Sequence, residues 1–127
     1  MPGDRTTSEL ADRLTEWART RDRRERSAVA ALVEDGSLLE RDDLRASLLT
    51  ASCDEPFVDW SRFESRYHLL DLDDSERAFL TLVVAIAFPR SVALYHVEFL
   101  GDHRLAIVLR ALTSSAGSDT IAVGTRT

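Results

Sequence analysis

The stretch that most constrains the fold is the apolar run of residues 78–88, AFLTLVVAIAF, which offers hardly any polar side. Asp73 and Glu76 precede it with the spacing of a capping box, in which two carboxylates accept hydrogen bonds from free backbone N–H groups at a helix start. Pro89 follows it and favours an end there. These signals predict a helix over 74–88, with a buried strand as the alternative that the Val and Ile content permits. A helix that is apolar on all sides must be surrounded by other elements, so we predict that it is central.

Shorter amphipathic segments on both sides of this run predict the remaining helices. Their apolar residues recur at helical spacing, and a Ser, Thr, Asp or Gly stands near an end of each. Pro56 interrupts the pattern and predicts a loop over 51–56. The predicted helices are one over 7–20 with the capping box Thr6–Glu9, one that ends at Gly36, one capped by Asp42 or Asp43, one over 60–70 capped by Asp59, one from Ser91 to Gly101, and one from Asp102 to Gly117.

These segments predict one all-α domain over 1–127, a compact bundle of about six helices around the central helix. A chain of 127 residues can bury one core without disulfides or metals. Residues 1–6 and 118–127 are predicted to be flexible or extended tails. The last helix is predicted to bury Leu105, Val108, Leu109 and Leu112. The predicted core consists of Leu80, Val83, Val84, Ile86 and Ala87 at the centre, with Trp17, Leu32, Trp60, Phe63, Val108 and Leu112 around it.

Composition and charge limit the classes of function. The net charge is −6, and residues 34–76 carry thirteen acids against four arginines, which disfavours contact with nucleic acid phosphates. The longest apolar run is far shorter than the roughly 20 residues of a membrane-spanning helix, and the N-terminal MPGDRTTSEL lacks the apolar core of a signal peptide. Cys53 is the only cysteine, so no disulfide can form within the chain. We therefore predict a cytoplasmic protein that does not enter a membrane.

The acids before the central helix do not form a convincing metal site. Asp71, Asp73 and Ser75 alternate as the ligands of a calcium loop do, but Glu76 stands where that loop needs a glycine, and Leu82 where it needs a bidentate glutamate. Asp73 and Glu76 are instead expected to start the helix. No calcium site is predicted here.

A second group of metal-ligand residue types lies near Gly101. His96, Glu98, Asp102 and His103 could suit zinc or iron by chemistry, but their spacing matches no established metal motif. The chain also lacks the glycine patterns of nucleotide-binding loops and a nucleophile motif. We therefore expect no metal, no cofactor and no catalytic residue, and predict that the protein is not an enzyme.

With no chemical motif, the sequence favours a small interaction or accessory module that binds a protein partner or associates with itself. Such a role requires an apolar patch at the surface. The segment VALYHVEFL carries several apolar side chains in a short predicted helix next to a turn. The residues predicted to form the interaction surface are Tyr95, Val97 and Phe99, with burial in the core as the alternative.

A nucleic-acid-binding regulator is the weaker alternative. One route is an arginine cluster over 19–26, although the first thirty residues carry seven arginines against six acids. The other is a helix-turn-helix-like segment over 93–112, whose second helix is mostly apolar where a recognition helix presents polar side chains to bases. The residues that would contact nucleic acid are Arg19, Arg21, Arg23, Arg24, Arg26, Arg104 and Arg110.

Overall fold

Helices make up nearly all of the regular structure, which confirms the predicted all-α class. The computed structural model describes residues 2–50, 57–88 and 90–124. The predicted loop over 51–56 and the side chain of Cys53 lie outside this range. Its α-helices are α1 Pro2–Ala18, α2 Arg23–Asp35, α3 Asp42–Leu48, α4 Trp60–Arg66, α5 Asp74–Ala87 and α6 Gly101–Ser115. Three 3-10 helices, Leu38–Glu40, Tyr67–Leu69 and Leu94–Phe99, and an antiparallel pair of two-residue strands, β1 Leu49–Thr50 and β2 Phe57–Val58, complete it.

Helix α5 occupies the centre of the bundle. The predicted capping box is present: the backbone N–H of Glu76 donates to Asp73 Oδ1 at 2.7 Å, and the backbone N–H of Asp73 donates to Glu76 Oε1 at 3.0 Å. The helix ends at Ala87, one residue before the predicted end, and the strand alternative is not adopted. It packs against α2, α4, α6 and the 3-10 helices Tyr67–Leu69 and Leu94–Phe99. Helix α2 shares the centre, because it contacts α1, α5 and α6.

The predicted core is confirmed for all but two residues. Trp17 is only half-buried, and Leu112 is exposed. Every other predicted core residue is buried. Helix α6 is the reason for the main error, because it buries a different face from the one predicted: Ala106, Ile107, Val108 and Ala111 face inward.

The face that α6 buries is set by its packing against α2. Helix α2 buries Ser27, Ala28 and Ala31, and α6 buries Ala106 and Ala111, so small side chains lie between two helices that contact each other. Small residues allow two helix axes to approach closely. The prediction that α6 buries Leu109 and Leu112 was therefore wrong, because both side chains remain at the surface.

Several predicted helix ends are correct. Asp59 caps α4 by accepting from the backbone N–H of Arg62 at 3.0 Å. Gly36 follows α2 with φ +76°, the left-handed conformation that glycine adopts without strain. Gly117, with φ +84°, follows α6 and donates its backbone N–H to the carbonyl oxygen of Ser114 at 3.0 Å.

Other helix ends differ from the prediction. Helix α1 begins at Pro2, so residues 2–6 of the predicted N-terminal tail are helical and the Thr6–Glu9 pair does not mark the helix start. Asp42 and Asp43 lie in the first turn of α3 rather than capping it. Acids in a first turn still interact favourably with the positive end of the helix dipole.

The region before α6 is wound differently from the predicted short α-helix. Leu94–Phe99 is a 3-10 helix, and α6 begins directly at Gly101 with φ +76°. Asp102 is therefore not its N-cap; Leu100 holds that position without a side-chain hydrogen bond. Of the two α-helices that a helix-turn-helix over 93–112 requires, only the second is formed, as part of α6.

The side chain of Arg104 on α6 forms hydrogen bonds with the end of α2, the residues after it and the start of α5. Its Nε donates to Asp35 Oδ1 at 3.0 Å, its Nη1 to Ser75 Oγ at 2.8 Å and its Nη2 to Ser37 Oγ at 3.3 Å. Ser75 Oγ donates in turn to the carbonyl oxygen of Leu100 at 3.0 Å. Asp35 ends α2, where the helix dipole disfavours a carboxylate, and only 3% of its side chain is exposed. The guanidinium therefore neutralises this carboxylate and holds α6 against α2 and the start of α5.

Replacing Arg104 by Met is expected to lower the free energy of unfolding by about 3 kcal/mol, because the buried Asp35 carboxylate loses its cation. Arg110 is the matched control on the same helix. It pairs with Glu34 where both side chains are more than a third exposed, so Arg110→Met should cost less than about 1 kcal/mol. Urea unfolding followed by circular dichroism measures both. Equal losses in the two variants would contradict a special role for the Asp35 pair.

Replacing Asp73 by Ala is expected to cost about 1 kcal/mol of stability, because the N-cap hydrogen bond to Glu76 is lost. Asp73→Asn should retain most of that stability, since an amide oxygen caps as well as a carboxylate. Asp71→Ala, an exposed acid two residues earlier, is the control and should change little. Thermal unfolding with and without added calcium distinguishes a cap from a metal ligand; a calcium-dependent gain lost in Asp73→Asn would refute the capping role.

Candidate functional site

The exposed apolar side chains gather in one part of the surface. Eight large apolar residues are exposed in the part of the chain that the structure describes, and six of them lie between residues 94 and 112. The predicted interaction residues are among them: Tyr95 is 57%, Val97 36% and Phe99 45% exposed. Leu94, which the sequence did not single out, is 79% exposed. Such a concentration of apolar surface is typical of binding sites.

The winding of Leu94–Phe99 divides its side chains between two clefts. In a 3-10 helix the side chains at i and i+3 lie one above the other. Leu94 and Val97 therefore share one side, and His96 and Phe99 share another. The segment packs on both α5 and α6. Leu94 and Val97 line one cleft, and His96, Phe99 and Tyr95 line a second.

The first cleft, which we call the apolar cleft, has a volume of about 410 Å³. Helix α5 contributes residues at i, i+3 and i+4, and α6 contributes residues at i, i+4 and i+7, so each helix presents one stripe. The 3-10 helix and Val92 form the remaining wall. The lining residues are Leu82, Ala85 and Ile86 of α5, Val92, Leu94 and Val97, Val108, Leu112 and Ser115 of α6, and the rim residues Arg24 and Arg90.

The rim of the apolar cleft is positively charged. Arg90 Nη1 forms an ion pair with Glu64 Oε1 at 2.7 Å, which offsets its charge. Arg24 is exposed and has no carboxylate partner among the residues described. No acidic side chain lines the cleft within that same set of residues. The apolar cleft therefore combines an apolar interior with one uncompensated and one paired cation at its edge.

The second cleft, which we call the aromatic cleft, has a volume of about 320 Å³ and lies along the first half of α5. Tyr95 stacks on His96 with ring centres 4.5 Å apart. The rings of Tyr95 and Phe99 make an edge-to-face contact with their centres 6.2 Å apart. The hydroxyl groups of Tyr67 and Thr81 share a hydrogen bond of 3.0 Å. The lining residues are Tyr67, His68, Asp74, Arg77, Ala78, Thr81, Tyr95, His96 and Phe99.

The arginines of the nucleic-acid alternative do not form one free basic surface. Arg19 pairs with Glu16 at 3.1 Å. Arg21 pairs with Glu25 at 2.8 Å, and this hydrogen bond raises the pKa of Arg21. Arg23 lies over Gly117, and Arg24 is at the apolar cleft.

The remaining arginines of that alternative serve different contacts. Arg26 is exposed beside the cluster. Arg104 is engaged in the network with Asp35. Arg110 pairs with Glu34 and donates to the carbonyl oxygen of Val123 at 3.1 Å, which holds the chain after α6 beside that helix. The structure therefore does not bring Arg104 and Arg110 together with the cluster as one phosphate-binding stripe.

The two histidines near Gly101, His96 and His103, lie in different surroundings. His96 stacks on Tyr95 in the aromatic cleft, whereas His103 is exposed on the first turn of α6. Across residues 2–50, 57–88 and 90–124, no group of three or more His, Cys, Asp or Glu side chains is arranged to hold a metal ion. In the same ranges, no helix has the length and apolar character needed to span a membrane.

Comparison of the chain with models of protein families, with curated proteins and with solved structures gives no match. The site therefore has to be judged on its geometry. Of the three predicted interaction residues only Val97 lines the apolar cleft, whereas Tyr95 and Phe99 line the aromatic cleft. The sequence did not indicate Leu94, and it assigned Leu112 to the core and Arg24 to a nucleic-acid surface, although all three line the apolar cleft. Leu94 could have been found from its i, i+3 spacing with Val97. No sequence signal connects Arg24 to this cleft.

Proposed function

We propose that this protein is a non-catalytic interaction module whose apolar cleft binds an amphipathic helix of a partner protein. The observation that carries the proposal is the concentration of six of the eight exposed large apolar residues, among those described, between residues 94 and 112. Three of these six, Leu94, Val97 and Leu112, line the apolar cleft. Burying them against a partner removes apolar surface from water, at about 25 cal/mol per Å².

The shape of the apolar cleft supports a helical occupant. The apolar cleft is lined by one stripe from each of α5 and α6 and by the 3-10 helix, and an amphipathic helix packs against such apolar stripes with residues at i, i+3, i+4 and i+7. The uncompensated cation of Arg24 at the rim favours acidic residues next to that apolar face. We therefore infer a partner helix that is leucine-rich on one face and carries Glu or Asp beside it.

A second copy of the chain fits the apolar cleft less well than a different protein does. In a symmetric dimer both copies use the same patch, so the unpaired Arg24 of each copy would enter one interface. Like charges brought together in an interface oppose binding. Outside residues 94–112, the large apolar residues exposed in the described part of the chain are Leu69 and Ile121. We place the interaction in the cytoplasm, in keeping with a single cysteine.

The first test uses a designed helical peptide with leucines on one face and glutamates on both flanks, followed by fluorescence anisotropy. Leu112→Asp is expected to weaken binding by about tenfold or more, because a carboxylate enters the apolar cleft. Leu109→Asp is the matched control: the residue lies on the same helix and is 40% exposed, compared with 46% for Leu112, but does not line the cleft. Binding should change by less than about twofold. Equal losses would contradict the assigned site.

The second test concerns the charge of the rim. Arg24→Glu is expected to weaken the binding of the glutamate-flanked peptide by about fivefold. The same substitution should strengthen the binding of a peptide in which lysines replace those glutamates. Arg26→Glu, an exposed arginine of the same helix away from the cleft, should leave both affinities nearly unchanged. The difference between the peptides should shrink as salt is raised. Light scattering that shows a dimer dispersed by Leu112→Asp would replace the proposed partner by a second copy.

A further inference from the structure

The aromatic cleft collects an unusual share of the ring side chains. Both tyrosines of the chain and two of its three histidines line it, together with Phe99. His68 meets the ring of Tyr67 edge-on at 5.3 Å, and His96 stacks on Tyr95 at 4.5 Å. Rings arranged with exposed faces and edges favour another planar ring as their partner, through stacked and edge-to-face contacts.

A cation stands in the same cleft without a carboxylate partner. The Arg77 guanidinium donates to the carbonyl oxygens of His68 and Leu72, both at 3.4 Å, and these neutral acceptors orient it without neutralising its charge. None of the ion pairs found among the described residues involves Arg77. Its planar fork matches the geometry of a carboxylate, which can accept two parallel hydrogen bonds. Asp74, one helical turn earlier, is the opposing charge in the cleft.

We propose that the aromatic cleft is a binding site for a small planar aromatic acid. The ring of the ligand packs against Tyr95 and Phe99, and its acidic group meets Arg77. The Thr81 hydroxyl donates to the carbonyl oxygen of Arg77 at 2.8 Å and shares a hydrogen bond with the Tyr67 hydroxyl, so both groups are held within the protein and Arg77 is the donor left for the ligand. A volume of about 320 Å³ lies in the range of small-molecule sites. This site is separate from the apolar cleft and does not depend on the proposed partner helix, because the two clefts share no lining residue.

The probe is 2-naphthoate, titrated into the full chain labelled with ¹⁵N and followed by NMR. A ligand of this size in a specific site is expected to bind with a dissociation constant of about 1 mM or lower. The amide signals that shift should be those of Arg77, Thr81 and Phe99, while Leu112 in the apolar cleft stays unchanged. Two analogues separate the contributions: 2-naphthalenemethanol lacks the charge, and decahydro-2-naphthoate lacks the aromatic ring. Each should bind at least about fivefold more weakly.

Substitutions in the cleft have opposite expected effects. Arg77→Gln should weaken the binding of 2-naphthoate by about fivefold. Asp74→Asn should strengthen that binding by about twofold, because the substitution removes a repelling carboxylate. Tyr95→Ala, at an exposed side chain whose loss the fold tolerates, should also weaken binding, and Leu112→Asp should have no effect. The proposal is overturned if no shifts appear, if they fall on the apolar cleft, or if Arg77→Gln and Tyr95→Ala both bind like the unaltered protein.

Discussion

The burial of α5 is the constraint on which the rest of the structure depends. From Ala78 to Ala87 this helix has eight buried residues and no continuous polar face, so leaving any side in water would expose apolar surface. Helices α2, α4 and α6 and two 3-10 helices enclose it. The capping box of Asp73 and Glu76 fixes where the helix starts, and hence which of its residues reach each neighbour. Helices α2, α4 and α6 are placed by the need to cover α5, and α1 and α3 pack in turn against α2 and α4.

The packing of α6 creates the two surface clefts. Small residues between α2 and α6 let the helices approach closely, and Arg104 binds Asp35 and Ser75 at the end of α6 that lies near α5. In this orientation α6 directs Leu112 outward beside the exposed Leu94. The apolar cleft thus follows from the packing of α6 on the core. Leu94 and Leu112, which line the cleft, are residues that this packing leaves exposed.

The 3-10 helix Leu94–Phe99 gives the protein two neighbouring sites of different chemistry. One side of the segment faces an apolar interior with cations at the rim, and the other faces rings with Arg77 among them. An α-helix over the same residues would spread these side chains by 100° per residue and would not pair i with i+3 so closely. The segment therefore separates the cleft for which we propose a partner helix from the cleft for which we propose a small aromatic acid.

Much of the fold was predictable from local patterns. The start of α5, the caps at Asp59 and Gly36, the buried Leu80, Val83 and Val84, and the all-α class follow from periodicity and end signals that involve only nearby residues. The exposed residues Tyr95, Val97 and Phe99 were also indicated correctly as surface positions. These features are local because a helix forms its hydrogen bonds within a few residues of sequence.

What only the tertiary structure decided is which side of α6 faces inward and which distant residues meet. The spacing of Leu105, Val108, Leu109 and Leu112 predicts a buried stripe, yet packing against α2 favours the alanines and turns two of these leucines to water. Arg24 reaches the apolar cleft from a helix far away in sequence. The sequence alone determines that helices form and that α5 must be covered. The choice of partner face depends on volumes and charges contributed by several helices at once, and no single segment contains that information.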